Sequence, residues 1–183
     1  MGRTREQIDE PLAEWIAGQP IFFVATAPRE GGHVNLSPKG YDSLRVLGPL
    51  EVAYLDLTGS GVETIAHLLD DGRITLMWCA FSGPPRIVRV QGRGEAVLAD
   101  DPRYPDLAAR FPDTPGARAV IRVDVDRIAD SCGYAVPLMD LVGERDRLRD
   151  WAAGKGPDGL ADYHAEKNAT SIDGLPALGT LTP

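Results

Sequence analysis

The sequence predicts a mainly β (α+β) protein, a six-stranded antiparallel split β-barrel with peripheral helices and a C-terminal helical extension. Three observations predict it. Six apolar or alternating runs have the length of strands. The turns between them are short and rich in glycine and proline, and a single helical run, residues 61–70, crosses between strands three and four. Parallel sheets need such crossovers after most strands, so an antiparallel barrel is the consistent architecture.

Taken in order, residues 7–17 (QIDEPLAEWIA) place Ile8, Leu12, Trp15 and Ile16 on one side of a short helix. IFFVATAP (21–28) reads as a buried strand, closed by the turn residues 29–32. In HVNLSPK (33–39), Val34 and Leu36 share one face while Asn35, Ser37 and Lys39 share the other. A solvated edge accounts for that polar face, and so does an anion lying across the strand. EVAYLDL (51–57) alternates Val52, Tyr54 and Asp56 against Ala53, Leu55 and Leu57. After TGSG (58–61) the period changes, and Val62, Ile65, Ala66 and Leu69 fit a helical face.

RITLMWCAF (73–81) and RIVRVQGRGEAVL (86–98) are two further strands, the second with Val88 and Val90 inward and Arg89 and Gln91 on the opposite face. A short helix (105–111) precedes the last strand (117–131). Two helices (144–156 and 158–168) and a tail (171–183) complete the chain. One domain results, with an N-terminal helix in 1–18, the barrel in 19–131 and the helical extension in 132–183.

The charge balance narrows the function. Twenty-seven acids against 19 bases, a net −8, argue against a protein built to grip nucleic acid, because such binding rests on neutralising many phosphates. No run approaches 18 consecutive apolar residues, so no membrane span is expected. Cys79 and Cys132 form neither a disulfide framework nor a zinc-ligand spacing, and no metal site is expected. With no signal-peptide core at the N-terminus, the location expected is cytoplasmic.

Local chemistry concentrates at DLTGSGVETIAHL. Glycines 59 and 61 admit a close ligand, and the first N–H groups of a helix are free for an anion, helped by the hydroxyls of Ser60 and Thr64. The same residues also read as a capping box, Ser60-x-x-Glu63, which needs no ligand. Lys39 on the neighbouring strand would supply a point charge to a phosphate, or simply end a strand in solvent. The glycine patterns GSGVET and GRGEAV complete no dinucleotide fingerprint. No GxSxG marks a nucleophile, so a hydrolase is poorly supported.

The run IFFVATAP…GHVNLSPKGYDSLRVL…VAYLDLTGSGVETIAHLLDDGRITLMWCAF…PPRIVRVQGRGEAV resembles the pyridoxamine 5′-phosphate oxidase-like FMN-binding split β-barrels over roughly residues 20–130. The C-terminal SCGYAVPL…VGERDRLRDWA…AEKNATSIDGLP is similar to a bacterial subfamily of that group. The resemblance implies a homodimer with one FMN per protomer at the interface. It implies flavin contacts from Asn35, Leu36, Ser37 and Lys39, from Tyr54, Leu55 and Asp56, and from Ser60, Gly61 and Thr64, with Arg89 and Gln91 completing the pocket. Position and chemistry add Tyr134, Lys167 and Asn168 as candidates for substrate or cross-dimer contacts.

Departures from the family are equally specific. Glu63 and Thr64 stand where the vitamin B6 oxidases carry a basic pair. Their SRPxxSQ-like run and C-terminal arginine–histidine signature are absent, which argues against pyridoxamine phosphate oxidation. The function expected is an FMN-dependent oxidoreductase acting on a small molecule. The alternatives are a non-catalytic flavin carrier or sensor, or a barrel using a deazaflavin coenzyme or haem.

Overall fold

The computed structural model describes residues 2–178. In chain order the elements are β1 (Arg3–Arg5), α1 (Glu10–Ala17), β2 (Phe22–Thr26), β3 (Asn35–Lys39), β4 (Leu44–Gly48), β5 (Glu51–Leu57), α2 (Glu63–Asp70), β6 (Arg73–Cys79), β7 (Ile87–Leu98), α3 (Tyr104–Ala108), β8 (Ala117–Ser131) and α4 (Arg147–Lys167). All strand pairings are antiparallel. The sheet runs β3-β2-β6-β7-β8-β5-β4, with β1 added to the far end of β8. The architecture is the one expected, with eight strands among the described residues in place of six. The two strands not foreseen, β1 and β4, are RTR and LRVLG, too short and too interrupted by arginine to show an alternating pattern. Cross-strand pairing with β8 and β5 makes strands of them.

β8 holds the barrel together. Its 15 residues pair with β7 along most of their length, with β5 near the start and with β1 near the end. Two register shifts bend it, one where Asp56 and Leu57 pair with Ala119 and Ala117, bulging Arg118. The other lies where Gln91 and Gly92 pair with Arg127 and Val125.

The main core fills the barrel with Val24, Val52, Tyr54, Leu76, Trp78, Val88, Val90 and Ile121, closed by α1 through Leu12 and Ile16 and by α2 through Ile65. α1 is well specified locally. Asp9 accepts the Leu12 N–H at 3.0 Å, and Pro11 occupies the first turn, where its missing N–H costs nothing. A smaller cluster, Ala53, Leu55, Val120 and Phe111, packs under α3 on the other face of β5. The C-terminal helices are two, as expected: Gly156, at φ 64°, breaks α4 ahead of Pro157. Beyond them residues 171–178 return to the barrel and bury Ala177. The expected tail ends outside the described residues, which stop before 179.

Candidate functional site

β3 pairs Lys39 with Phe22, Ser37 with Val24 and Asn35 with Thr26, all three partners lying on the inward face of β2. The polar face of β3 therefore points into the barrel, while Val34 and Leu36 are exposed. The solvated-edge reading of that face is overturned, because the interior facing it is itself polar. Ser37 Oγ donates to Asn35 Oδ1 at 2.8 Å, and Asn35 Nδ2 reaches Thr26 Oγ1 at 3.1 Å and Thr64 Oγ1 at 3.0 Å. Thr26 Oγ1 lies 3.0 Å from His67 Nδ1. Burial pushes the His67 imidazole down, against the opposing pull of Glu63 and Asp173.

Lys39 is committed to a carboxylate. Its Nζ lies 2.9 Å from Asp56 Oδ1, and Arg118 Nε lies 2.7 Å from Asp56 Oδ2. Asp56 is wholly buried. Burial alone would raise its carboxyl, but the Lys39 and Arg118 cations outweigh that and hold it below the usual carboxylate range. Arg118 spends its remaining donors on Asn168 Oδ1 (2.9 Å) and the Gly61 carbonyl (2.8 Å), and Asn168 Nδ2 donates to the Gly59 carbonyl at 3.1 Å. One buried network thus ties β3, β5 and β8 to the glycine turn and to the end of α4. Beside it, burial first and the Asp56 charge second lift the Tyr54 phenol well above its ordinary value, so it stays protonated.

The start of α2 differs from both readings of its sequence. The helix begins at Glu63 with Val62 at the cap, and no side chain caps it, so the Ser60–Glu63 capping box does not form. The Glu63 carboxylate folds back against Gly61, where a side chain would collide with it. It also accepts the Ile172 N–H at 3.3 Å. Ser60 is exposed and Thr64 is occupied by Asn35. An anion at this helix start would meet a carboxylate and, among the described residues, no unpaired cation.

The remaining sequence candidates lie apart. Leu36 is exposed, and Leu55 packs into the cluster under α3. Arg89 and Gln91 alternate with core residues Val88 and Val90 and so face away from the barrel interior, with Arg89 bonded to Ser131 (3.4 Å) and Gln91 to Arg127 (2.8 Å). They do not join Lys39, Tyr54 and Asp56. Tyr134 is exposed, and Lys167 pairs with Glu166 at 2.7 Å. Asn168 alone of the C-terminal trio reaches the network.

Three clefts meet at Tyr41, between β3 and β4. One of about 650 Å³ is apolar, lined by Ile21, Phe23, Phe81, Met139 and Leu141 and ending at Arg145. A second, also about 650 Å³, runs past α1 and Trp78. The third, about 440 Å³, lies between Gly59–Ser60 and Arg145, Arg147, Trp151 and Tyr163. Tyr41 itself sits at φ 60°, a left-handed conformation that costs a bulky side chain about 1–3 kcal/mol. Its hydroxyl donates to the Arg145 carbonyl at 2.5 Å, and Arg149 stacks 4.0 Å over its ring. Sequence reasoning missed Arg118, Tyr41 and the Arg145–Arg147 pair. Only for Arg118 was there a local signal, a charged residue among the apolar positions of a long strand.

Residues 8–132 match the family model described as pyridoxamine 5′-phosphate oxidase. The pyridoxamine 5′-phosphate oxidase family protein ustO of Aspergillus flavus is 42% identical over 192 aligned positions, covering 94% of this chain and 76% of that protein. Among solved structures, the chain is similar to HupZ of Group A Streptococcus, with a TM-score of 0.53 at 22% identity over 68% of this chain and 99% of that one. It is also similar to a candidate pyridoxamine 5′-phosphate oxidase of Lactobacillus delbrueckii, with a TM-score of 0.54 at 20% identity over 69% and 98%. At these identities the structural likeness shows the fold.

Proposed function

The chain belongs to the pyridoxamine 5′-phosphate oxidase family, and from that premise we propose that it is a flavin-binding protein, with FMN as cofactor, acting as an oxidoreductase on a small molecule. Family membership across the barrel carries the reading. The acidic start of α2 sets this chain apart from the vitamin B6 oxidases themselves.

FMN asks a protein for apolar walls beside a flat ring system and for donors to a doubly charged phosphate. The start of α2 does not fit the phosphate, since Glu63 covers it and Lys39 is spent on Asp56. The clefts that meet at Tyr41 fit better, because Phe23, Phe81 and Met139 supply apolar walls and Arg145 stands where two of the clefts join. When bound, the flavin supplies the redox chemistry. The protein's own residues bind and shield: the apolar cleft excludes water, and the Lys39–Asp56–Arg118 network keeps the glycine turn rigid beside it.

A homodimer is part of this reading. Val34 just before β3, Leu36 on its outer face, and Leu138, Met139, Leu141 and Val142 are large apolar side chains left exposed in one protomer, the kind of surface that a second copy covers. A cytoplasmic location is retained from the two free cysteines. Among the described residues no helix is long and apolar enough to cross a membrane.

The test is the absorption spectrum of the purified protein with a thermal melt on adding FMN. Flavin bands, or a melting temperature that rises with FMN concentration, are expected. No bands and no shift at saturating FMN would sink the reading. Binding without reduction by any electron donor would favour a carrier over an oxidoreductase. Sedimentation in solution reads the dimer directly.

A further inference from the structure

The glycine turn before α2 has its peptide planes fixed from inside the fold. The Gly59 carbonyl accepts from Asn168 Nδ2 at 3.1 Å, and the Gly61 carbonyl accepts from Arg118 Nη2 at 2.8 Å. Both donors are immobilised, since Asn168 is fully buried and the Arg118 side chain is only 5% exposed. In a trans peptide the N–H lies opposite the C=O. The Ser60 and Val62 N–H groups therefore point away from the buried network, on the outer side of the turn. No side chain caps the first N–H groups of α2, which follow directly. Turn and helix start together offer consecutive backbone donors, and the turn borders the cleft lined by Gly59 and Ser60.

An anion already stands there. The Glu63 carboxylate folds back onto Gly61 and accepts the Ile172 N–H at 3.3 Å. A carboxylate in the first turn of a helix is favoured by the helix dipole, so Glu63 competes with any other anion for that place. Its partner Ile172 sits at the tip of a tight loop. The Ser171 N–H donates to the Leu175 carbonyl and the Gly174 N–H to the Ser171 carbonyl, both at 2.9 Å, with Gly174 at φ 78°. The base of the loop is anchored by buried Ser171 and Ala177, whereas Ile172 is 73% exposed. Besides Glu63, the tip is held through Asp173, which accepts the His33 N–H at 2.8 Å and lies 2.7 Å from His33 Nδ1. The His33 side chain is itself exposed, so both attachments of the tip break without opening the core.

We propose that Glu63 is the gate of the glycine turn: its carboxylate is an internal occupant of the anion position, and an anionic ligand group enters by displacing it and releasing the Ile172 loop. Closed, the start of α2 is covered by a carboxylate. Open, it offers backbone donors that Arg118 and Asn168 hold in place. Glu63 thereby sets which ligands the turn accepts, namely those whose anion outcompetes a tethered carboxylate. A phosphomonoester does so, with a charge of about −1.5 to −2 and three strong acceptor oxygens. The inference rests on the flavin reading, under which that group is the phosphate of FMN.

The experiment measures FMN and riboflavin affinity by quenching of flavin fluorescence in the full chain, in Glu63→Gln and in Glu63→Ala. Riboflavin lacks only the phosphate, so it reports everything except the gate. Gln keeps an acceptor for the Ile172 N–H but loses the charge, and Ala loses both. Each variant is expected to bind FMN at least about tenfold more tightly than the parent, the worth of a charge-assisted hydrogen bond, with riboflavin affinity unchanged. In the parent, FMN should shift the Ile172 amide resonance in the direction that Glu63→Ala does. Unchanged FMN affinity in both variants, an equal gain for riboflavin, or an Ile172 resonance that FMN leaves in place overturns the gate and leaves the flavin reading standing. If none of the three proteins binds either flavin, the flavin reading falls. Inorganic phosphate then reads the gate by itself: it should raise the melting temperature of Glu63→Gln more than that of the parent, and equal shifts overturn the gate as well.

Discussion

Arg118 Nε donates to Asp56 Oδ2 at 2.7 Å inside the barrel wall, and the side chain of Asp56 has no exposed surface. The pair exists because β8 bulges at Arg118, which puts its guanidinium opposite Asp56 on β5. Removing one member of a buried pair strands the other, at a cost of about 3–5 kcal/mol. Asp56→Asn and Arg118→Met should each lower stability by that order in chemical denaturation. Lys39→Met should cost less, because the Lys39 side chain is 20% exposed and water can replace it. Equal losses for all three would contradict the assignment of Arg118 as the main partner.

Acid should weaken the fold in two stages. The His67 and His164 imidazoles are both pushed down by burial. Below about pH 6.5 the unfolded chain therefore takes up protons that the folded chain refuses, and stability falls as pH drops. The depressed Asp56 carboxyl contributes fully above about pH 3.9, and that contribution is lost as pH falls through its folded value. Urea midpoints between pH 7.5 and 5 should decline in the parent. In His67→Gln/His164→Gln they should decline less. A profile as steep in that variant as in the parent would place the proton uptake elsewhere.

Adjacent residues at the end of α4 should behave in opposite ways. Asn168 is buried and bonds Arg118 and the Gly59 carbonyl, so Asn168→Ala leaves buried groups unsatisfied and should cost about 2–3 kcal/mol. Lys167 makes only an exposed pair with Glu166, and Lys167→Ala should stay within about 0.5 kcal/mol. Thermal melts of the two variants decide it.

Glu63 offers a direct check on where the phosphate goes. Its carboxylate lies against Gly61 and accepts the Ile172 N–H. Glu63→Gln removes a charge that repels a phosphate at the start of α2, so FMN affinity should change by less than about threefold if the phosphate binds elsewhere. A tenfold gain in affinity would instead put the phosphate at the start of α2.

Much of the architecture was legible locally. The strands β2, β5, β6, β7 and β8 declare themselves by apolar runs or alternation, and α1 by the spacing of Ile8, Leu12, Trp15 and Ile16. β4 was not legible, since LRVLG becomes a strand only by pairing with β5. The site was legible in part. Asn35, Ser37, Lys39, Asp56 and Thr64 do converge, but on one another and on Arg118, which sequence spacing alone does not bring to them.

The sequence by itself determined that this chain folds as an antiparallel barrel, because hydrophobic periodicity and turn residues act over a few neighbours at a time. It also determined that β3 has one polar and one apolar face, since alternate side chains must point oppositely. Which face turns inward was decided only in three dimensions, by the pairing of β3 with β2 and by the buried Asp56 that Lys39 meets there. The same holds for the fate of the helix start and for the arginines beside it. Glu63 folds back against Gly61 and takes the N–H of Ile172, more than a hundred residues away in the chain. Arg145 and Arg147 reach the glycine turn because the C-terminal helices pack back onto the barrel.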